Sequence, residues 1–212
     1  MAKRVTVSGI AAPLPINNLD TDQIMPKQFL LGIDKTGLAR GVLHDLRMDA
    51  SGSPRPEFVL NRPQYQGAKI LVGGANFGCG SSREHAVWGL MQAGFEAVIA
   101  PSYGEIFYFN ALNNRLLLVM LAPEIVERLM ALVSDPAKSQ LTIDVERQCV
   151  RTVDGTEYAF ELPERQKRMF IEGLDTIGMT LSDVDAIEAF EALHHAAHEW
   201  MKIDLPARRA AD

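Results

Sequence analysis

Residues 69–94 read KILVGGANFGCGSSREHAVWGLMQAG, and the rest of the chain is organised around them. The stretch opens with an apolar, β-rich run, Ile70, Leu71 and Val72, which predicts a buried strand. Gly73, Gly74, Gly78 and Gly80 follow at a density that strand and helix interiors exclude, so a turn is expected there. Ser81 and Glu84 have the Ser-x-x-Glu spacing of a capping box, which places the start of a helix at Ser81. Ala86, Val87, Leu90 and Met91 give that helix one apolar face, and Gly94 stands where a C′ glycine would end it. Strand, glycine turn and capped helix aim free backbone N–H groups at an anion. This turn adds two hydroxyls and a guanidinium at the same spot.

Known phosphate loops do not fit the glycine spacing. No Gly-Lys-Ser/Thr follows, and the Gly-x-Gly-x-x-Gly of a dinucleotide site is missing. Arg83 in the first turn of a helix opposes the helix dipole at a cost of a few tenths of a kcal/mol, which a bound carboxylate would offset. A nucleotide site is thus poorly supported; the Ser-x-x-Glu box on its own equally fits plain helix capping, and Arg83 is explained only if it binds a carboxylate.

With 212 residues, 47% hydrophobic and 23% charged, the chain suits one soluble globular domain. A net charge of -6 and a pI near 5.4 argue against a nucleic-acid partner. No apolar run approaches the ~20 residues that span a bilayer, and no signal peptide is evident, so a cytoplasmic setting is expected. Cys79 and Cys149 are too few and too far apart in sequence for a zinc or iron–sulfur ligand set. Cys79 reads as a small residue filling a tight turn.

Strand and helix patterns alternate along the chain, which predicts a partly parallel α/β core. A short strand covers Val5 and Val7, and residues 12–15 (APLP) read as loop. Strands are expected at 97–100 and 116–121, and helices at 103–113, with Ile106, Phe107 and Leu112 inward, and from Pro123 to Leu132. Residues 141–145 and 149–160 add an antiparallel piece turning at Asp154-Gly155. A charged helix is expected at 164–174. Ser182 is expected to cap a last long helix with Val184, Ile187, Phe190, Leu193 and Trp200 on one stripe. His194 and His198 on that helix read as a solvated face, and no metal site is expected.

GANFGCGSSREHA, from Gly74 to Ala86, resembles the Gly-x-Gly-Ser-Ser-Arg-Glu-His-Ala motif of the aconitase superfamily's swivelling domain. Asn18-Leu19-Asp20-Thr21-Asp22-Gln23-Ile24-Met25-Pro26 is similar to the Asp-Thr-Asp-x-Ile-x-Pro motif of the same superfamily. The order and separation of the two, over nearly the whole chain, resemble most closely the small-subunit family of bacterial isopropylmalate dehydratases. The resemblance implies a β/β/α swivelling domain over 1–212, a mixed, partly parallel sheet flanked by helices, with 164–212 as a helical C-terminal extension. It implies a hydro-lyase that moves a hydroxyl between adjacent carbons of a dicarboxylate, working only with a large subunit that carries a four-iron four-sulfur cluster. This chain would bind no cofactor itself. Carried over residue by residue, Ser81 is the base, and Ser82 and Arg83 bind a substrate carboxylate. Thr21 and Asp22 face the active site across the subunit boundary. Phe29, Leu30 and Leu31 fall in the loop that reads the substrate's side group. Two departures sit nearby: no basic residue stands near Leu31 and Gly32, and residues 41–47 lack the family's aromatics. The side group is thus open between isopropylmalate and the smaller or longer methylmalate (citramalate), dimethylmalate and homoaconitate.

Overall fold

The computed structural model describes residues 5–30 and 35–201. Leu31 and Gly32 lie outside the described residues. Residues 1–175 and 176–212 form two separate compact units.

The first unit is built on one seven-stranded sheet. Strand β1 (Thr6–Leu14) leads through a one-turn helix α1 (Thr21–Ile24), a second short helix α2 (His44–Arg47) and irregular chain to β2 (Ile70–Gly73). Helix α3 (His85–Gln92), strand β3 (Ala97–Ala100), helix α4 (Glu105–Asn114) and strand β4 (Leu117–Met120) follow. Helix α5 (Pro123–Val133) then returns the chain to β5 (Gln140–Asp144), β6 (Cys149–Thr152) and β7 (Glu157–Ala159), and α6 (Glu164–Glu172) closes the unit. The strand order is β4-β3-β2-β1-β5-β6-β7, parallel from β4 to β1 and antiparallel from β1 to β7. This is the mixed sheet flanked by helices that the motifs imply.

Alternation along each parallel strand feeds two cores. Leu71, Val98 and Leu118 point to one face, where they meet Ala86, Val87 and Leu90 of α3 and Phe107 and Ala111 of α4. Ile70, Val72, Ala97, Ile99, Leu117 and Val119 point to the other, under Val126, Leu129 and Val133 of α5. Because both faces are covered, these strands read as continuous apolar runs rather than alternating ones. Phe170 of α6 is buried in the second core, so the charged helix is fastened to the sheet by its apolar edge.

Several expectations are corrected. Residues 12–14 are strand, not loop: β1 continues through Pro13, paired with Val72 of β2. The Ala11 N–H goes to Ser139 on the side away from β2. Pro13, two residues on, faces that same side beyond the first residue of β5, so its missing N–H costs no ladder bond. Ile106 is 49% exposed, not inward, because α4 begins at Glu105 and turns Phe107 and Ala111 to the sheet instead. Asp183, not Ser182, occupies the N-cap of the last helix, α8 (Val184–Ala197), which follows the short α7 (Thr176–Leu181). The Ser182 hydroxyl is turned back to donate to the Met179 carbonyl. Within this second unit the helix ends at Ala197, so Trp200 falls beyond it in a separate short turn (Glu199–Met201) and is not part of the expected stripe, whose other members are open: Phe190 is 64% and Leu193 75% exposed. The ring of His194 stacks between Phe190 and His198.

The glycine turn is held by a close approach. Gly78 has φ +73°, and a Cβ there would overlap the buried Phe107 ring. Gly78→Ala therefore meets both a left-handed backbone penalty and a rigid aromatic. It is expected to destabilise the chain by about 2–5 kcal/mol in urea unfolding. A midpoint within error of wild type would show that the Phe107 contact does not hold the turn.

Candidate functional site

Both sequence motifs begin where parallel strands end. The chain leaves β1 at Leu14 and β2 at Gly73, and these residues are register partners. The two segments that follow are then zipped together, residue against residue. Asn18 N–H donates to the Ala75 carbonyl at 2.8 Å, Gly78 N–H to Leu19 at 2.7 Å, and Thr21 N–H to Cys79 at 2.9 Å. Side chains complete it: Asn17 Oδ1 accepts from Ala75 N–H, Asn76 Nδ2 donates to Asn18 Oδ1, and the Thr21 hydroxyl donates to the Ser81 carbonyl at 3.0 Å. Asn18 and Asn76 both have positive φ, and asparagine is the side chain most at home there after glycine.

The capping box lies in the first motif, not the second. Asp20 is the N-cap of α1; its carboxylate accepts from Gln23 N–H at 2.7 Å, and Gln23 Oε1 accepts from Asp20 N–H at 3.1 Å. At the second motif, α3 begins at His85 with Glu84 as N-cap and no side-chain cap bond. The expected Ser81–Glu84 box is absent because Glu84 is engaged elsewhere: its carboxylate accepts from Asn114 Nδ2 at 2.5 Å. Asn114 Oδ1 in turn accepts from the Trp88 indole, and Asn110 Nδ2 reaches the Ser82 carbonyl at 3.4 Å. The turn is thus braced from α4 rather than capped from within. No sequence signal marks Asn114 for this, since it sits 30 residues from Glu84 on a different helix.

This changes where positive potential comes from. Ser81, Ser82 and Arg83 precede the helix, so the dipole penalty expected for Arg83 does not arise, and the first-turn amides of α3 do not belong to these residues. Among the described residues, the N–H groups of Gly80, Ser81, Ser82 and Arg83 have no acceptor within the chain. Ser81 and Ser82 are exposed. Arg83 is half-buried, and its Nη1 forms an ion pair with Asp22 Oδ1. The same buried Nη1 makes no aligned hydrogen bond. A guanidinium offers five donors in a planar fork, and here one carboxylate touches it without using that fork.

Asp22, Ser81, Ser82 and Arg83 therefore converge on one open turn. Thr21, expected to face the site, is instead buried beneath it at 1% exposure, with its hydroxyl on the Ser81 carbonyl. Phe29 and Leu30 lie apart from the turn, half-buried against the first core, with the Phe29 ring 4.9 Å from that of His44. Leu31 is not among the described residues. The exposed turn with unused amides and a cation can hold a carboxylate. The donor set does not fit an iron–sulfur cluster: among the described residues no three His, Cys, Asp or Glu groups gather to hold a metal. No described helix is long and apolar enough to cross a membrane.

Comparison with known proteins finds relatives over nearly the whole chain. Residues 1–124 match the aconitase C-terminal domain, and residues 176–204 match the C-terminal domain of the 3-isopropylmalate dehydratase small subunit. The chain is 60% identical over 202 residues to 3-isopropylmalate dehydratase small subunit 1 of Chromobacterium violaceum, covering 95% of each. It is 46% identical to the small subunit of Dinoroseobacter shibae, over 95% of this chain and all of that one. A crystal structure of 3-isopropylmalate dehydratase from Methanocaldococcus jannaschii superposes with a TM-score of 0.60 at 25% identity, covering 88% of this chain and 99% of that one. The two motifs, the mixed sheet and these relatives together make the chain a member of the 3-isopropylmalate dehydratase small-subunit family.

Proposed function

We propose that this chain is the small subunit of a heteromeric hydro-lyase that interconverts 2-isopropylmalate and 3-isopropylmalate in leucine biosynthesis, in the cytoplasm. The observation that carries the reading is the ion-paired Arg83 and Asp22 set beside the open hydroxyls of Ser81 and Ser82. The chain would act as one swivelling domain with its C-terminal extension. The pocket would close against a large subunit, which holds the four-iron four-sulfur cluster that this chain lacks the ligands for.

The reaction removes a proton from one carbon and a hydroxyl from its neighbour, then returns water the other way round. In this reading Ser81 takes and returns the carbon-bound proton. A hydroxyl can do so only where its alkoxide is stabilised, and Arg83 with the unused amides of the turn supplies that field. Arg83 grips a substrate carboxylate through its fork, and Ser82 adds a hydrogen bond. When substrate arrives, the carboxylate of Asp22 is released from Arg83 toward groups of the large subunit. Thr21 acts on backbone alone: its hydroxyl holds the Ser81 carbonyl and so aims the turn.

Co-expression with the cluster-bearing large subunit is the direct test. The pair is expected to turn over 3-isopropylmalate and the single chain to turn over nothing; activity of the single chain would overturn the reading. Methylmalate, dimethylmalate and homoaconitate in the same assay decide the side group. Arg83→Lys in the pair is expected to lower kcat/KM by about a hundredfold or more, because an ammonium cannot reproduce the fork. Ser81→Ala is expected to abolish kcat with KM within about threefold of wild type, since the hydroxyl acts in the transition state and not in binding. A large KM effect with kcat preserved would make Ser81 a binding group instead.

A further inference from the structure

Among the described residues, helix α4 is covered on three sides and exposed on the fourth. Phe107 and Ala111 face the sheet, and Tyr108 donates to Gln166 of α6 at 2.6 Å. Asn110 and Asn114 reach the turn at Ser82 and Glu84. Glu105, Ile106, Phe109 and Asn113 point the remaining way and are exposed. Ile106 and Phe109, at i and i+3, place two large apolar side chains next to each other, 49% and 53% exposed.

Single exposed apolar residues are ordinary, but this pair borders the site. Ile106, Asn110 and Asn113 share one face at i, i+4 and i+7, and the Asn110 amide is the group that reaches the Ser82 carbonyl. The pair is also held at a fixed position relative to the turn. A Cβ on Gly104 would lie 2.5 Å from the Gly78 carbonyl oxygen and 2.9 Å from Cys79 Cα, so the start of α4 is packed directly on the turn. Gly104 N–H donates to the Phe77 carbonyl at 2.9 Å, and Asn114 fastens the far end of the helix to Glu84. Whatever covers the open hydroxyls of Ser81 and Ser82 therefore meets Ile106 and Phe109 alongside them.

We infer that the outer face of α4 is a docking surface for the large subunit, with Ile106 and Phe109 as its apolar centre and Glu105, Asn113 and the Ser82 edge of the turn as its polar rim. The inference rests on the proposed dehydratase reading. The relatives are small subunits, which implies the partner, and the exposed turn is where the proposed pocket closes against it. A contact that excludes water from a reacting centre extends past the reacting groups, and α4 supplies the adjoining surface. An apolar centre with hydrogen-bonding groups around it is the usual anatomy of such a contact. The partner face it fits is apolar in the middle and polar at its edge.

The test titrates purified small subunit into a fixed amount of the cluster-bearing large subunit and reads 3-isopropylmalate turnover. Sedimentation of the same mixtures reads association without turnover. Ile106→Asp and Phe109→Asp, which would place an unpaired carboxylate in the contact, are each expected to raise the half-saturating concentration about tenfold or more. At saturation kcat and KM are expected to stay within about twofold of wild type, since neither side chain reaches substrate. Val153→Asp, a change at an exposed apolar residue between β6 and β7, is expected to leave association unaltered. Because all three positions are exposed, the variants are expected to unfold at the wild-type midpoint. Unchanged association of the α4 variants, a loss of kcat that saturation does not restore, or equal weakening by Val153→Asp would overturn the inference and leave the dehydratase reading intact. So would a small subunit that sediments alone as a dimer and becomes a monomer in Phe109→Asp, which would give the face to a second copy. A wild-type pair that neither associates nor turns over 3-isopropylmalate would overturn that reading itself, and the docking surface with it.

Discussion

The site depends on the hydrogen-bonded seam between the segment after β1 and the segment after β2. Neither segment is helix or strand for most of its length, so each would leave backbone donors and acceptors without partners. Their register pairing at Leu14 and Gly73 brings them side by side, and the bonds from Asn18, Gly78 and Thr21 satisfy one segment with the other. Each such bond contributes only about 1 kcal/mol net. Their combined effect is geometric: Asp22 cannot stand at Arg83 unless the seam is closed.

The seam also explains the unusual residue choices around it. Asn18, Asn76, Gly78 and Gly80 all take positive φ, and the two asparagines use their side chains to bond across the seam as well. Phe107 fills the space that a side chain on Gly78 would claim. Packing from α4 and hydrogen bonding across the seam therefore press the turn into one shape from opposite sides. Asn114 and Asn110 extend the same support to Glu84 and Ser82. A preorganised turn needs no reorganisation when charge develops beside it.

The electrostatic picture differs from a helix-terminus anion site. Arg83 lies before the first turn of α3, so its charge adds to the exposed amides instead of opposing a dipole. In the proposed function Arg83 exchanges the carboxylate of Asp22, which is 59% exposed, for that of the substrate.

Much of this was legible in residue pattern. Ile70-Leu71-Val72 announced a buried strand, Gly74, Gly78 and Gly80 a turn, and Gly94 a helix end, because local sterics and hydrophobicity act over a few residues. The Ser81–Glu84 box was misread for the same reason: locally it is a good cap, and only the arrival of Asn114 from α4 draws Glu84 away. Pro13 looked like a loop residue until the sheet showed a strand edge with no partner opposite it. The chain's order of elements and its chemistry-bearing residues were settled by short-range rules; which of those residues touch was settled by the sheet register and helix packing, contacts between positions tens of residues apart that no local rule encodes.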